Sequence, residues 1–568
     1  MDAGTRDPGA RPGGAEYDAV IVGAGFAGLY QLHLLRNRLG LRVHVIEAAE
    51  GVGGTWWWNR YPGARCDSES LSYCYFFSPE LYAEWEWSER YPGQEEIRRY
   101  LDLVTERFDL RRDIRFSTRV TGARRDDAAG LWIVETDKGE RITATYLITA
   151  VGCLSSANVP KIPGLDRFEG RWYHTGAWPH EGVDLSGKRV GQIGTGSTGI
   201  QVAPVLAAQA EHLTIFQRTA NYSVPARNRP LTPEEKRRIR EEYEETRDLV
   251  RATTNGHAYH ISAKSALETP PDERRALYDA AWETGGLRFR TVFGDLLTSA
   301  EANETAASYL REKIRDVVED PEKARILSDI DHPYAAKRPP IDTDYFETFN
   351  RDNVDLVDLR AEPIEEVTTR GVRTSAREYP LDVIVFATGF DALTGPLLAL
   401  NIQGRDGIAL RDFWREGPRT LLGLQIPGFP NLFTVTGPGS PSVLTNMPVS
   451  IEQHAEWIAD CIGWLRENGV SSIEASPEAA AEWGAHVNEV ANRTLLPTVK
   501  HSWYLGANVP GKPRAFMPYA GGLARYRKIC DDVAANGYPG FVLGEKKPAA
   551  DASLTELVAA TEGVTSRV

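Results

Sequence analysis

Two strand–glycine-turn–helix units, followed by a charged, helix-forming stretch, predict an α/β chain with two Rossmann-like dinucleotide-binding domains and an inserted helical subdomain. The first unit is "YDAVIVGAGFAGLYQLHLLRNRLGLRVHVIEAAE" and the second is "KRVGQIGTGSTGIQVAPVLAAQAEHLTIFQRTANYS". The helix-forming stretch covers 231–330. Length fits this division, because 568 residues exceed what one hydrophobic core normally organises.

The chain opens on "MDAGTRDPGARPGGAE", which lacks an apolar core and reads as a disordered tail over 1–16, not as a signal peptide. The apolar strand Ala19–Val22 then runs into Gly23-x-Gly25-x-x-Gly28. Glycines at that spacing let the backbone approach a pyrophosphate, and the following helix offers it free N–H groups. The next strand, "RVHVIE", ends in Glu47, 19 residues after Gly28, where a carboxylate accepts hydrogen bonds from ribose hydroxyls.

The second unit repeats this plan with a change of charge. Strand Arg189–Ile193 leads into Gly194-x-Gly196-x-x-Gly199, and the strand after the helix ends in Gln217–Arg218. Arg218 also lies 19 residues after the third glycine. A carboxylate there would repel a 2′-phosphate, whereas a guanidinium binds it. The pair of turns therefore points to a flavoprotein fed by a nicotinamide, with FAD at the first and NADPH at the second. Residues 17–152 and 381–545 are expected to form a discontinuous FAD-binding domain, with "YLITAVG" (146–152) and "LDVIVFATGFD" (381–391) as strands returning the chain to it. Residues 153–230 and 331–380 are expected to form the NADPH-binding domain. Within 231–330, "LTPEEKRRIREEYEETRDLV" and "ANETAASYLREKIRDVVED" have the spacing of amphipathic helices. Residues 546–568 read as a loosely ordered tail.

Composition narrows the partners. A formal charge of −14 argues against nucleic acid and against an anionic membrane surface. No run approaches the 18 or so apolar residues of a membrane-spanning helix. The five cysteines, Cys66, Cys74, Cys153, Cys461 and Cys530, contain no C-x-x-C pair. That excludes a zinc ribbon or a redox dithiol, leaves no metal site in view, and suits a reducing, cytoplasmic setting. A monomer or weak homo-oligomer is expected.

Between the two domains stands "FEGRWYHTGAWP" (168–179). With it the chain resembles the type I Baeyer–Villiger monooxygenases, whose fingerprint F-x-G-x-x-x-H-x-x-x-W-P it matches at Phe168, Gly170, His174, Trp178 and Pro179. "GGTWWWNRYPGARCD" matches a second pattern of that family at Gly53, Gly54, Trp56, Tyr61, Pro62, Gly63 and Asp67. The likeness runs from Tyr17 to about Leu543, and "KRPPIDTDYFETFNRDNV", "GPGSPSVLTNM" and "WYLGANVPGKPR" resemble the phenylacetone monooxygenase subgroup.

The resemblance implies an enzyme that uses FAD, NADPH and O2 to convert a ketone to an ester or lactone through a C4a-peroxyflavin. By that resemblance Arg338 supplies the fixed positive charge beside the reacting oxygen, and Asp67 pairs with it. Gly54, Thr55 and Trp56 join the first turn in binding FAD. Thr195, Ser197, Thr219 and Lys337 join Arg218 in binding NADP, and Trp503 contacts the nicotinamide dinucleotide. Ser442, Val443, Leu444 and Met447 line the substrate pocket. Phe168, Gly170, His174 and Trp178 form a coupling segment, with His174 a hinge residue rather than a proton-transfer group. Two rival readings remain: a flavin monooxygenase acting on sulfur or nitrogen, and a non-enzymatic flavin-binding or sensor protein. The second needs neither Arg218 nor Arg338.

Overall fold

The computed structural model describes residues 14–545 and contains two sheets built mainly of parallel strands. The first has eight strands. Tyr17–Val22 lies at its heart, between the parallel strands Val43–Ile46 and Arg141–Thr149. Ala19, Val20 and Ile21 are fully buried, as a parallel strand covered on both faces requires. Arg141–Thr149 changes partner along its length: its first half pairs antiparallel with Leu131–Thr136, its last three residues parallel with Leu432–Thr434.

The helix Phe26–His33 leaves the glycine turn and packs beneath the long helix Met447–Glu467. A Cβ on Gly28 would fall 1.8 Å from the carbonyl oxygen of Gly23, so only glycine lets this helix sit so close to its strand. Glu16, at the end of the expected tail, is already held by the sheet. Its N–H donates to Thr143 Oγ1 at 3.0 Å, and its carboxylate accepts from Thr143 N at 3.0 Å. The rest of that tail up to residue 13, and the tail expected over 546–568, lie outside the described residues.

The second sheet has five parallel strands in the order Val354–Asp358, His212–Gln217, Arg189–Ile193, Val383–Phe386, Arg171–His174. This corrects the sequence reading at one boundary. Residues 381–391 were assigned to the first domain, but Val383–Phe386 is an inner strand of the second sheet. Its four apolar residues are all buried, which suits an interior place in either sheet, so pattern alone does not choose between them. The chain re-enters the first sheet only at Leu432–Thr434. The coupling segment also contributes a strand, because Arg171–His174 forms the edge of the second sheet.

Residues 231–330 carry the helices Pro233–Glu241, Tyr243–Ala252, Pro271–Thr284, Ala300–Val317 and Pro321–Ser328. Their starts are legible as chemistry. Thr232 and Glu235 form a reciprocal capping box, Ser299 accepts from Ala302 N, and proline occupies the first turn of three of them. Between the third and fourth, Gly286–Thr291 forms a short 3-10 turn whose Arg288 bonds Glu69. Among the described residues no helix is long and apolar enough to cross a membrane.

Candidate active site

Each sheet presents its glycine turn at the carboxyl ends of its strands, where open α/β sheets bind ligands. At the first turn Gly25 stands against Gly54, with an added Cβ on Gly25 only 3.3 Å from Gly54 Cα. Two bare backbones thus form one flat wall. Thr55 is exposed beside it, and Trp56 is buried with its Nε1–H donating to Tyr73 OH at 3.1 Å. Glu47 is buried under the turn, accepting from Ala24 N at 2.6 Å and Ala49 N at 2.8 Å. Burial pushes its pKa up against the pull of those N–H groups. It therefore clamps the turn, a structural task its sequence position does not disclose.

At the second turn Gly196 and Ser197 are exposed at the start of the helix Ser197–Gln209, and Thr195 Oγ1 donates to Thr219 O at 2.9 Å. Arg218 is exposed and has no ion pair among the described residues. Lys337 lies near enough that its pKa is lowered, chiefly by burial and further by the charge of Arg218. The Asp331 carboxylate acts on Lys337 as well, and Arg218 itself is left without an ion pair among the described residues, so the pair retains charge for an anion.

The loop after "GGTWWWNRYPG" crosses from the first unit onto this second helix. Tyr61 OH donates to Gln201 Oε1 at 2.7 Å, and Gln201 Nε2 donates to Arg65 O at 3.2 Å. Gly63, at φ +83°, has Gln201 O where a side chain would stand, 2.7 Å from an ideal Cβ. This fixes the stretch that follows, which carries Asp67.

Asp67 meets Arg338 in a two-pronged ion pair. Arg338 Nε donates to Oδ2 at 2.6 Å, Nη2 to Oδ1 at 2.7 Å, and Nη1 to the Val443 carbonyl at 3.0 Å. Each side chain is 21% exposed, so the pair is screened little yet remains reachable. Burial alone would raise the Asp67 pKa, but the charge and hydrogen bonds of Arg338 hold it below the usual carboxylate range. Burial would lower that of Arg338, but Asp67 more than offsets it, and the guanidinium stays charged at every accessible pH.

The structure also brings the loop 442–447 to this pair. Ser442 is buried at φ +42°, Val443 supplies the carbonyl, Leu444 is half-buried, and Met447 is half-buried at the start of Met447–Glu467. Trp503 is half-buried against Tyr504, and the Tyr504 ring feels the charge of Arg338. In the coupling segment, Phe168 packs with the second sheet and Gly170 lies against Asp382 O. Trp178 is buried beside Tyr173. His174 ends the edge strand. Its Nδ1 accepts from Gly176 N at 3.0 Å, and its ring stands edge-on to Phe390. Burial lowers its pKa, which favours the neutral ring, and with Nδ1 accepting, the neutral ring carries its proton on Nε2. None of its contacts reaches the Arg338–Asp67 pair, unlike those of the loop 442–447.

Sequence reading missed a second set of charges. Glu69, two residues beyond Asp67, is buried and bridged by Arg90 at 2.7 Å and Arg288 at 2.9 Å. Arg288 also lies over Tyr259, which stacks on His257 with centroids 5.2 Å apart. Burial and then the charges of Arg338 and Arg290 lower the His257 pKa to about 3. The one local signal was "GLRFRT", where two arginines flank a buried phenylalanine in an otherwise solvated helical region.

The family described as "Pyridine nucleotide-disulphide oxidoreductase" matches residues 20–276. A Baeyer–Villiger monooxygenase of Pseudooceanicola batsensis is 46% identical, over 93% of this chain and 96% of its own. A phenazine N-monooxygenase of Lysobacter antibioticus is 43% identical, over 93% and 97%. A solved structure of an oxidised steroid monooxygenase bound to NADP is 52% identical, with a TM-score of 0.89, over 93% of this chain and 99% of that one. On this footing the chain belongs to the Baeyer–Villiger monooxygenase family.

Proposed function

We propose that this chain is an FAD- and NADPH-dependent monooxygenase that inserts one atom of O2 beside a ketone carbonyl to give an ester or lactone. The observation that carries the reading is the Arg338–Asp67 pair, a permanent cation held in fixed orientation between the two glycine turns' domains. The first turn fits FAD: Gly23, Gly25 and Gly28 with Gly54, Thr55 and Trp56 give a wall without side chains, and Glu47 stands at the ribose end. The second fits NADPH: Gly194, Thr195, Gly196, Ser197, Gly199 and Thr219 cradle the pyrophosphate, while Arg218 and Lys337 take the 2′-phosphate. Trp503 packs against the nicotinamide end.

The residues of the first turn would hold FAD, which, when bound and reduced by NADPH, would supply the activated oxygen. Arg338 stabilises negative charge as it develops on the ketone oxygen, and Asp67 keeps its guanidinium from swinging away. Ser442, Val443, Leu444 and Met447 shape the wall against which the ketone lies. His174 and Trp178 transmit movement between the domains through the edge strand that His174 ends and the turn Thr175–Ala177 that leads from it to Trp178. The thiols are all unpaired and buried, which suits a reducing cytoplasm, and the chain acts as a monomer or weak homo-oligomer.

The test is isotopic. With NADPH, 18O2 and cyclohexanone, the lactone should carry one heavy oxygen in its ring. Phenazine serves as the competing substrate. If phenazine gains oxygen and every ketone is returned unchanged, the reading is wrong.

A further inference from the structure

Asp67 and Glu69 are both satisfied by guanidinium groups: Arg338 takes Asp67, and Arg90 and Arg288 share Glu69. Arg290 is different. It lies two residues after Arg288 in the turn Gly286–Thr291, is half-buried, and has no hydrogen bond, ion pair or ring contact among the described residues. An ionised group partly withdrawn from water without a counter-charge is unfavourable in the free protein, which marks it as a ligand contact.

Its surroundings supply a second, independent sign. Phe289 stands edge-on to Tyr334 at 5.6 Å, and Ser262 N donates to Thr291 O at 2.9 Å. These contacts lock the turn between Tyr334 on one side and the segment carrying His257 and Tyr259 on the other. Tyr334 is 0% exposed and its hydroxyl has no partner. His257 is 4% exposed and its Nδ1 has none. Both side chains feel the charge of Arg290, and His257 and Tyr504 feel Arg290 and Arg338 together. Three groups without a partner thus stand about the turn Gly286–Thr291: the Arg290 guanidinium, the buried Tyr334 hydroxyl and the buried His257 Nδ1.

We propose that Arg290, helped by Tyr334 and His257, selects ketones that carry a carboxylate remote from the reacting carbonyl. The inference rests on the monooxygenase reading above and specifies its substrate class: oxo acids in preference to neutral ketones. Arg338 serves the carbonyl and Arg290 serves the acid. A carboxylate accepts from all three donors and removes the charge imbalance, which a neutral ketone leaves in place.

The experiment compares 3-oxocyclohexanecarboxylic acid with its methyl ester on the FAD-loaded protein. The wild type should show a KM at least about tenfold lower for the acid, the scale of a charged hydrogen bond. Arg290→Leu should abolish that ratio through the acid's KM more than its kcat, and Arg290→Lys should retain part of it. Calorimetric titration of the acid into oxidised, NADP+-bound protein should show the same order of affinities. Flavin content and thermal midpoint establish that each variant is folded. An unchanged acid-to-ester ratio and unchanged acid affinity in Arg290→Leu overturn the proposal. So does an NADP+ affinity that falls as much as the acid affinity, which would assign Arg290 to the cofactor. If neither compound is oxygenated, cyclohexanone is returned unchanged as well, and the acid still binds through Arg290, the monooxygenase reading fails and the anion site stands.

Discussion

Replacing Arg338 by alanine removes three hydrogen bonds at once, two to Asp67 at 2.6 and 2.7 Å and one to the Val443 carbonyl at 3.0 Å. It also strands the Asp67 carboxylate. Removing one partner of a fully buried pair costs about 3–5 kcal/mol, and the one-fifth exposure of this pair reduces that to about 2–4 kcal/mol. The catalytic loss has a separate origin. One preorganised contact to a developing oxyanion is worth about 10²–10³ in rate, so ester formation should fall at least ~100-fold. NADPH binding depends on other groups, Arg218 among them, so NADPH should still be consumed slowly, with hydrogen peroxide as product. A second variant separates the two effects. Arg338→Ala combined with Asp67→Asn no longer holds an unpaired charge, so its thermal midpoint should recover most of the loss while ester formation stays low. The assay reads ester by gas chromatography and peroxide by a coupled peroxidase, each per NADPH oxidised. The assignment is refuted if Arg338→Ala turns most of its NADPH into ester, or if the double variant regains ester formation along with stability.

Arg218→Ala should raise the KM for NADPH about 10–100-fold, the worth of a charged hydrogen bond of roughly 1.5–3 kcal/mol, and leave NADH little changed. Steady-state kinetics with both cofactors checks this, and equal losses would place the 2′-phosphate elsewhere. Glu47→Ala orphans the N–H groups of Ala24 and Ala49, so the protein should purify with depleted flavin, read from its 450 to 280 nm absorbance ratio. Glu47→Gln, which keeps an acceptor, should lose less, and full occupancy of both variants after dilution would contradict the placement. Burial, with help from Arg338 and Arg290 for His257 and from Arg527 for His454, lowers both histidines to about 3. Below pH 6.5 the unfolded chain binds protons that the folded one refuses, so stability should fall as pH drops from 6.5 toward 4. The slope reaches at most about 1.4 kcal/mol per pH unit for each histidine. Urea midpoints at pH 7 and 5 measure it, and His454→Gln should flatten the profile.

The glycine turns and the exchange of Glu47 for Arg218 were legible because every residue involved is local: strand, turn, helix and next strand lie within one short stretch of chain. The Arg338–Asp67 pair joins residues 271 apart, so charge pattern alone could not have proposed it, and it came only through resemblance to a family. Arg90, Arg288 and Arg290 stayed hidden for a related reason. Each stands in a stretch full of surface charge, and nothing in composition separates a buried guanidinium from a solvated one. Val383–Phe386 was recognised as a strand but placed in the wrong sheet, because an apolar run records burial and not the neighbour that buries it.

That same strand, together with Leu432–Thr434, dictates an order of assembly during synthesis. Thr149 Oγ1 donates to Phe433 O at 3.2 Å across 284 residues of chain. The first sheet therefore waits, with Leu147–Thr149 paired to Tyr17–Val22 on one side only, until residues 432–434 have left the ribosome. The second sheet is nested inside that interval and can close earlier, as soon as Val383–Phe386 emerges to fill the gap between Arg189–Ile193 and Arg171–His174. The inner unit finishes first although the outer one starts first. A nascent chain paused between these two events carries a complete second sheet beside a first one with an open, apolar flank at Leu147 and Ile148, the kind of edge that recruits a chaperone or a wrong partner.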